Sequence, residues 1–205
     1  MTKIYLLSAL VLMSFSSCQF FANEKKANAE KKVNDHEQVA HDQGNTTSLP
    51  AYFQAALNGD LDGLKSAIEQ GVDVNVKDEN AHTALMLSAY NGHHHVMAYL
   101  IEKEAQIDAV DGVQRTALMF ACTGPFLEAV ELLINAGAEV NAVDSHESWT
   151  PAMMAAAEGQ LDVLKLLVKH GADLSMVDVD GESSLDFAKS NGHGEVASYI
   201  TALVK

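Results

Sequence analysis

The residues of this chain with the greatest chemical potential are its 9 histidines, 2 cysteines and 8 methionines. None belongs to a catalytic motif, because the sequence has no G-x-x-x-x-G-K-S/T, G-x-S-x-G, H-E-x-x-H or C-x-x-C pattern. Cys18 and Cys122 are too few for a disulfide framework or a Cys-only zinc site. We therefore predict that the protein is not an enzyme and needs no cofactor.

The triplet His93-His94-His95 is the densest group of potential metal ligands. Neighbouring residues of a helix point about 100° apart, so His94 and His95 cannot converge on one ion as an i, i+4 pair would. A metal or haem site would need His82 or another chain, so metal or haem handling by His82 and His93–His95 is an alternative function, and no metal ligand is assigned.

The charge of the chain favours some partners over others. The 13 Lys and Arg against 28 Asp and Glu leave a formal net charge of −15. An acidic surface repels polyanions, which excludes nucleic acid as a partner. The same charge would speed the encounter with a cationic protein, and salt would weaken that effect.

The amino terminus carries an export pattern. Lys3 precedes the apolar run Ile4–Phe15, which suits a signal peptide and is shorter than the ~20 residues that span a bilayer. Phe15-Ser16-Ser17-Cys18 resembles the bacterial lipoprotein box. The resemblance implies a signal peptide over residues 1–17 and lipidation of Cys18. An ordinary secretory signal is the alternative.

The lipoprotein resemblance also implies a location. Gln19, rather than Asp, follows the cysteine, as in lipoproteins held in the inner leaflet of the outer membrane and facing the periplasm. The lipid would be the chain's one contact with the membrane. Residues 18–47 are too polar to repay the entropy of folding, so we predict a flexible tether with a span of about 30 Å.

An internal repeat of about 33 residues organises the rest of the chain. Its start recurs as T-A-L-M at Thr83 and Thr116, T-P-A-M at Thr150 and S-S-L-D at Ser183. Internal glycines and a G-A-D-V-N-like finish recur in the same register. These patterns resemble ankyrin repeats. The resemblance implies an all-α solenoid of five helix-pair repeats with short β-turn tips over residues 48–205.

The repeat register assigns a local role to each recurring residue. Thr or Ser caps the first helix, an internal Gly turns the chain, and a later Gly ends the second helix. Methionines stand where the family has His and are predicted to fill the core, while Cys122 is an inert buried thiol. Glu104 replaces a Gly, which predicts a helix end that is strained or differently capped. Pro125 is expected near the first position of a second helix. The resemblance also implies that His93 caps its helix locally.

Ankyrin solenoids present a concave face, made of the turn tips and the exposed side of the first helices. The resemblance implies that a protein partner docks there. The predicted contact residues are His82, Arg115, His146, Glu147, Trp149, Asp180 and Glu182 at the tips, and Leu57, Asn58, Tyr90, Asn91 and Glu158 on the first helices. Trp149 could instead fold back onto the stack, and Arg115 could simply pair with Asp111 or Asp144.

The two resemblances together suggest a function. They imply a tethered stack, monomeric when free, that binds a protein in the periplasm. The partner would be a secreted toxin, neutralised as by an immunity protein, or a periplasmic enzyme that is protected or scaffolded. A purely structural link between membrane and cell wall is a further alternative.

Overall fold

The computed structural model of the protein describes residues 48–204. The predicted signal peptide, the lipidation at Cys18 and the tether lie outside these residues. The described part contains ten helices and no strand, apart from an isolated antiparallel bridge between Val177 and Ser183. None of these ten helices is long and apolar enough to cross a membrane. The all-α prediction is confirmed.

The helices form five consecutive pairs, one pair for each predicted repeat. Their bounds are α1 Leu49–Asn58 and α2 Leu61–Glu69, α3 Ala84–Tyr90 and α4 His94–Glu102, α5 Ala117–Ala121 and α6 Leu127–Asn135, α7 Pro151–Ala157 and α8 Leu161–Lys169, α9 Ser184–Ser190 and α10 Gly194–Leu203. Each first helix packs on the first helix of the next repeat, and each second helix packs on the next second helix.

A hydroxyl cap begins the first helix of repeats two to five, as predicted. Thr83 Oγ1 accepts a hydrogen bond from the backbone N–H of Met86 at 3.3 Å, and Thr116 and Thr150 cap α5 and α7 in the same way. Ser183 does so for α9, where Asp186 Oδ2 also accepts from the Ser183 N–H at 2.9 Å. These caps satisfy amide groups that a short helix would otherwise leave without partners.

Small residues and methionines fill the space between repeats. The small residues all lie in the core: Ala55, Ala56, Ala89, Ala121, Cys122, Ala155, Ala156 and Ala188. Met86, Met119 and Met153 are buried beside them, which confirms their predicted role as core filling. Complete burial raises the pKa of the Cys122 thiol, so the reactive thiolate is strongly disfavoured there.

The second helices end in the left-handed region of backbone space. Gly71, Gly137 and Gly171 follow α2, α6 and α8 with φ of 96°, 94° and 92°. Glu104 occupies the same place after α4 with φ of 63°. A side chain in this region costs energy that Gly avoids, so the strain predicted at Glu104 is confirmed.

The third repeat has a different turn between its helices. Pro125 lies near the start of the second helix, as predicted: it directly precedes Phe126, the N-cap of α6, which begins at Leu127. Pro125 also stands nine residues after Thr116, the register position of Gly92 and Gly159 in their repeats. Proline cannot adopt the positive φ of those glycines. The first helix α5 is accordingly five residues long, against seven for α3, α7 and α9.

Candidate interaction face

One aspartate organises each turn tip. Asp78 Oδ1 accepts hydrogen bonds from the backbone N–H groups of Asn80 and His82 at 2.9 and 2.8 Å. Burial opposes ionisation of Asp78, but the hydrogen bonds from His82 outweigh it and lower the pKa of the carboxyl. Asp111 and Asp178 hold their tips with the same pair of bonds.

The fourth tip uses the same device in an extended form. Asp144 Oδ1 accepts from three successive backbone N–H groups, those of His146, Glu147 and Ser148, at 2.9, 2.8 and 3.1 Å. Asp144 stands six residues before Thr150, against five between Asp111 and Thr116, so this tip has one extra residue, and the third bond holds it.

Neighbouring tips are joined to one another along the edge of the stack. The backbone N–H of Gly112 donates to the carbonyl of Asn80 at 3.2 Å, and Ser145 donates to Val113 at 2.9 Å. Val179 donates to Glu147 at 3.0 Å, which continues the series into the last repeat. The tips of repeats two to five thus form one hydrogen-bonded row.

His82 is buried, so the prediction that it lies on the exposed face was wrong. Only 2% of the residue is accessible. Its Nδ1 lies 3.1 Å from Asp78 Oδ2 and its Nε2 lies 3.9 Å from Asp111 Oδ2, between the second and third tips. Its ring also meets the Phe120 ring edge-on, with 5.8 Å between centroids. His82 therefore joins two tips and offers almost no surface to a partner.

Arg115 and Tyr90, two other predicted contact residues, pack against the same Phe120 ring as His82. Arg115 Nε donates to Asp111 Oδ2 at 2.7 Å, which settles its partner as Asp111 rather than Asp144. The Arg115 guanidinium also lies 4.8 Å from the centre of the Phe120 ring, within cation–π range. Tyr90 approaches that ring edge-on at 6.3 Å. Arg115 and Tyr90 remain partly exposed, so both can contact a partner.

Trp149 folds back onto the stack, which is the alternative the sequence left open. Its ring centroid lies 4.4 Å from that of Phe187, and it packs against the buried cluster formed by Met153, Ala157 and Phe187. The ring is partly rather than fully buried. Trp149 therefore supports the fourth tip and still presents part of its surface.

The exposed end of that tip is polar. His146 Nδ1 lies 3.0 Å from Glu147 Oε1, and 71% of the His146 side chain is accessible. An exposed pair of this kind contributes little to stability, so these side chains are available to a partner.

The acidic residues of the last tip lie close together. Asp180 is exposed and Glu182 is partly exposed. Desolvation raises the pKa of Glu182, and the nearby carboxylates Asp178, Asp186 and Asp180 raise it further. This end of the row is therefore a cluster of carboxylates that favours a cationic group of a partner.

The predicted residues at the carboxyl ends of the first helices have mostly structural contacts. The carbonyl of Leu57 accepts from Asn91 Nδ2 at 2.6 Å and bonds to His93 Nε2 at 3.0 Å. His93 stands at the N-cap of α4, as predicted, but its side chain makes no capping hydrogen bond there and instead joins repeat two to repeat one. In the last two repeats Asn191 and His193 bond to the carbonyl of Ala157 in the same way.

Asn58 and Glu158 are exposed at the same register. Asn58 Oδ1 accepts from Gln54 Nε2 at 2.8 Å. Partial desolvation raises the pKa of Glu158, and the nearby His193 opposes that shift.

The histidines are not assembled into a metal centre. In residues 48–204 no group of three or more His, Cys, Asp or Glu side chains is arranged to hold a metal ion. The rings of His94 and His95 lie 4.0 Å apart, but His93 is committed to Leu57 and His82 to the tip aspartates. No observation in this region favours the metal or haem alternative.

Sequence reasoning missed the two phenylalanines on which the predicted residues converge. Phe120 supports Arg115 and Tyr90, and Phe187 supports Trp149. Both stand four residues after the capping residue of their repeat, directly behind the tip. Repeat register was thus the signal that could have identified them.

Comparison with known proteins agrees with this architecture. The profile described as ankyrin repeats (3 copies) matches residues 52–144 and 126–203. The human Notch-regulated ankyrin repeat-containing protein is 36% identical over 59 residues, which cover 29% of this chain and 52% of that protein. The rat cyclin-dependent kinase 4 inhibitor B is 42% identical over 52 residues, covering 25% and 40%.

The chain spans about half the length of the Notch-regulated relatives that it matches. These short matches establish similarity of the repeats alone. The profile, in contrast, covers more than half of the chain. This chain therefore belongs to the ankyrin repeat family.

Proposed function

We propose that this chain is a membrane-tethered module that binds one protein partner through its concave face. Ankyrin repeats are protein–protein interaction modules, which supports a binding role in place of catalysis. The partner would be a secreted toxin that the module neutralises, or a periplasmic enzyme that it protects or scaffolds. Tethering through a lipid on Cys18 would place the face within about 30 Å of the membrane.

The continuous row of tips is the observation that carries this proposal. Each tip is fixed internally by its aspartate, and backbone hydrogen bonds fix successive tips to one another. A surface that is rigid before binding loses little conformational entropy on association. Exposed side chains at Asn80, Ser145, His146 and Asp180 project from this row.

The face also carries partly buried aromatic and arginine side chains, the residue types that usually contribute most to binding energy. Arg115 and Tyr90 are held by Phe120, and Trp149 is held by Phe187. Interfaces concentrate their binding energy in Trp, Tyr and Arg side chains of this type. The acidic excess of the chain favours a partner with a basic docking surface.

A pull-down of the full-length protein from its native host after crosslinking of intact cells tests the concave face. We expect a stoichiometric protein that is retained by the wild type and lost in the double variant Tyr90→Ala, Arg115→Ala. The matched control is Glu131→Ala, which alters an exposed residue of α6 away from the tips. Equal recovery by both variants would exclude the concave face as the contact surface.

The tether is tested separately by Cys18→Ser. Metabolic labelling with a fatty acid should mark the wild type and not the variant, and the variant should leave the membrane fraction. Labelling that persists in the variant would contradict lipidation at this residue. An unlabelled wild type would favour the ordinary secretory signal.

A further inference from the structure

The turn between the two helices of a repeat lies on the edge opposite the tips. In three of the four junctions a ring from the following repeat covers this turn. His93 lies over Gly59 and His193 lies over Gly159, so that a Cβ added to either glycine would fall 2.7 or 2.5 Å from the ring. Phe126 covers Gly92 in the same way. A ring from the following repeat therefore seals the turn of repeats one, two and four.

The junction between the third and fourth repeats has no such ring. Pro125 stands at the glycine position and Gln160 at the ring position, nine and ten residues after Thr116 and Thr150. Gln160 Nε2 donates instead to the carbonyl of Glu158 in its own repeat, at 3.2 Å. A cleft of about 330 Å³ opens at this point.

The cleft combines apolar walls with acidic residues. Pro125, Leu127 and Leu161 supply apolar surface, and 39% of Leu127 is exposed. Asp162 and Glu195 line the same cleft from α8 and α10. Its volume lies near the lower end for ligand sites, which suits one or two side chains of a larger partner.

The acidic residues alone would not indicate a site. Each occupies the first turn of its helix, where a carboxylate stabilises the positive end of the helix dipole, and Asp62 has the same position on α2. What distinguishes this junction is that the carboxylates flank an open cleft with an exposed leucine. Glu195 forms no ion pair within residues 48–204, whereas Asp162 pairs with Lys165 at 3.0 Å.

We propose that this cleft is a second docking site, which receives an extended segment of the protein partner carrying a large apolar side chain flanked by Lys or Arg. The apolar side chain would contact Leu127 and Leu161, and the flanking cations would lie beside Asp162 and Glu195. The inference rests on the proposed function in requiring a protein partner, but it places this contact away from the concave face. A partner bound at both places would be gripped on two edges of the same repeats.

The test is a titration of the full-length protein, in detergent, with the peptide acetyl-Lys-Lys-Leu-Lys-Lys-amide, followed by backbone amide NMR. We expect saturable shifts at Gly159, Gln160 and Leu161 and no shifts at the tips. Binding should weaken as salt rises, because flanking charges contribute. Replacing the peptide's leucine by serine, or its lysines by glutamate, should weaken binding at least about fivefold.

Variants of the protein locate the site. Leu127→Ser and Glu195→Gln should each weaken peptide binding at least about fivefold. Leu203→Ser, which alters another exposed leucine at the far end of α10, should change it less than about twofold. Unchanged binding in Leu127→Ser, or equal binding of the leucine-free peptide, would overturn the proposal. If a variant is unstable, the wild-type protein still decides the test through its relative affinities for the original peptide and for the leucine-free peptide.

Failure here is distinguishable from failure of the proposed function. If the peptide does not bind the cleft while Tyr90→Ala, Arg115→Ala still abolishes partner recovery, the cleft proposal is wrong and the concave face stands. If the peptide binds the cleft but recovery of the partner does not depend on Tyr90 and Arg115, the concave-face proposal is wrong and the cleft proposal stands.

Discussion

The two junctions at the ends of the stack and the two in its middle differ in how the edge opposite the tips is closed. At the first and fourth junctions, an Asn and a His of the following repeat bond to one carbonyl and the His ring covers a glycine. At the second junction, Phe126 covers Gly92, and a phenyl ring cannot hydrogen-bond as His does. At the third, Pro125 and Gln160 leave a cleft.

This difference shows that the two edges of a repeat vary independently: the tip edge, which we propose binds a partner, is uniform, and the opposite edge, which joins the repeats, is not. The tip row runs without interruption through repeats two to five, while the opposite edge is closed only where Asn-Gly-His or Phe is present. Each repeat is stabilised by its neighbours, so a gap in the middle of a stack is supported from both sides. A gap at an end would leave a terminal repeat weakly attached.

Glycine substitutions should give the largest effect. Gly59→Ala places a Cβ against the His93 ring in a left-handed backbone, so we expect a loss of about 2–3 kcal/mol in the free energy of unfolding. Gly171→Ala, with φ of 92° and open space around the new Cβ, should lose about 1 kcal/mol. Urea denaturation measures both. Equal losses would show that the ring contact adds nothing.

Substitutions at the ring position should give the next largest loss of stability. His193→Ala removes a hydrogen bond to Ala157 and the cover over Gly159, which should cost about 1–2 kcal/mol. Gln160→Ala removes only a bond within its own repeat and should cost less than about 0.5 kcal/mol. Thermal unfolding of the two variants compares a closed junction with the open one. A larger loss for Gln160→Ala would reverse the comparison.

A stabilising substitution tests the account of the helix ends. Glu104→Gly relieves a positive φ of 63° at an exposed position, and we expect a gain of about 1 kcal/mol. Ala98→Gly, at an exposed position inside α4, is the control and should lose about the same amount, because Gly is a poor helix former. Destabilisation by Glu104→Gly would mean that the side chain contributes contacts that outweigh the strain.

The smallest effect concerns acid stability of the tips. Asp78 has a pKa below its ordinary value of 3.8 in the folded protein, so its ionised form stabilises the fold above that value. This contribution should disappear as the pH falls from about 3.8 through the lowered native pKa. Asp78→Asn should therefore flatten the acid limb of the stability profile. An unchanged acid limb in the variant would contradict the assignment.

Periodic features could be predicted from the sequence, whereas most side-chain contacts at the exceptions to the period could not. Thr83, Met86 and Gly92 have the same environment in several repeats, so register alone located the caps, the core and the turns. Glu104 shows that a single departure is readable when the required backbone is known in advance.

Side-chain contacts within the tips were harder to predict. His82, Arg115, Trp149 and Glu182 share one register position, yet His82 is buried and Trp149 folds onto Phe187. His82 and Trp149 pack against the phenylalanine four places after the cap of the following repeat, Phe120 and Phe187, whereas Arg115 packs against Phe120 in its own repeat. Repeat register locates these phenylalanines, but it does not indicate which tip side chains turn toward them.

Photo-crosslinking in intact cells tests the central claim, that the rigid tip row binds a protein, most directly. A photoreactive residue at Asn80, Tyr90 or Asp180 of the concave face should yield one discrete protein adduct, and the same residue at the exposed Glu102 or Lys169 of the second helices should yield none. Adducts from the second helices alone, or none from any position, would contradict it.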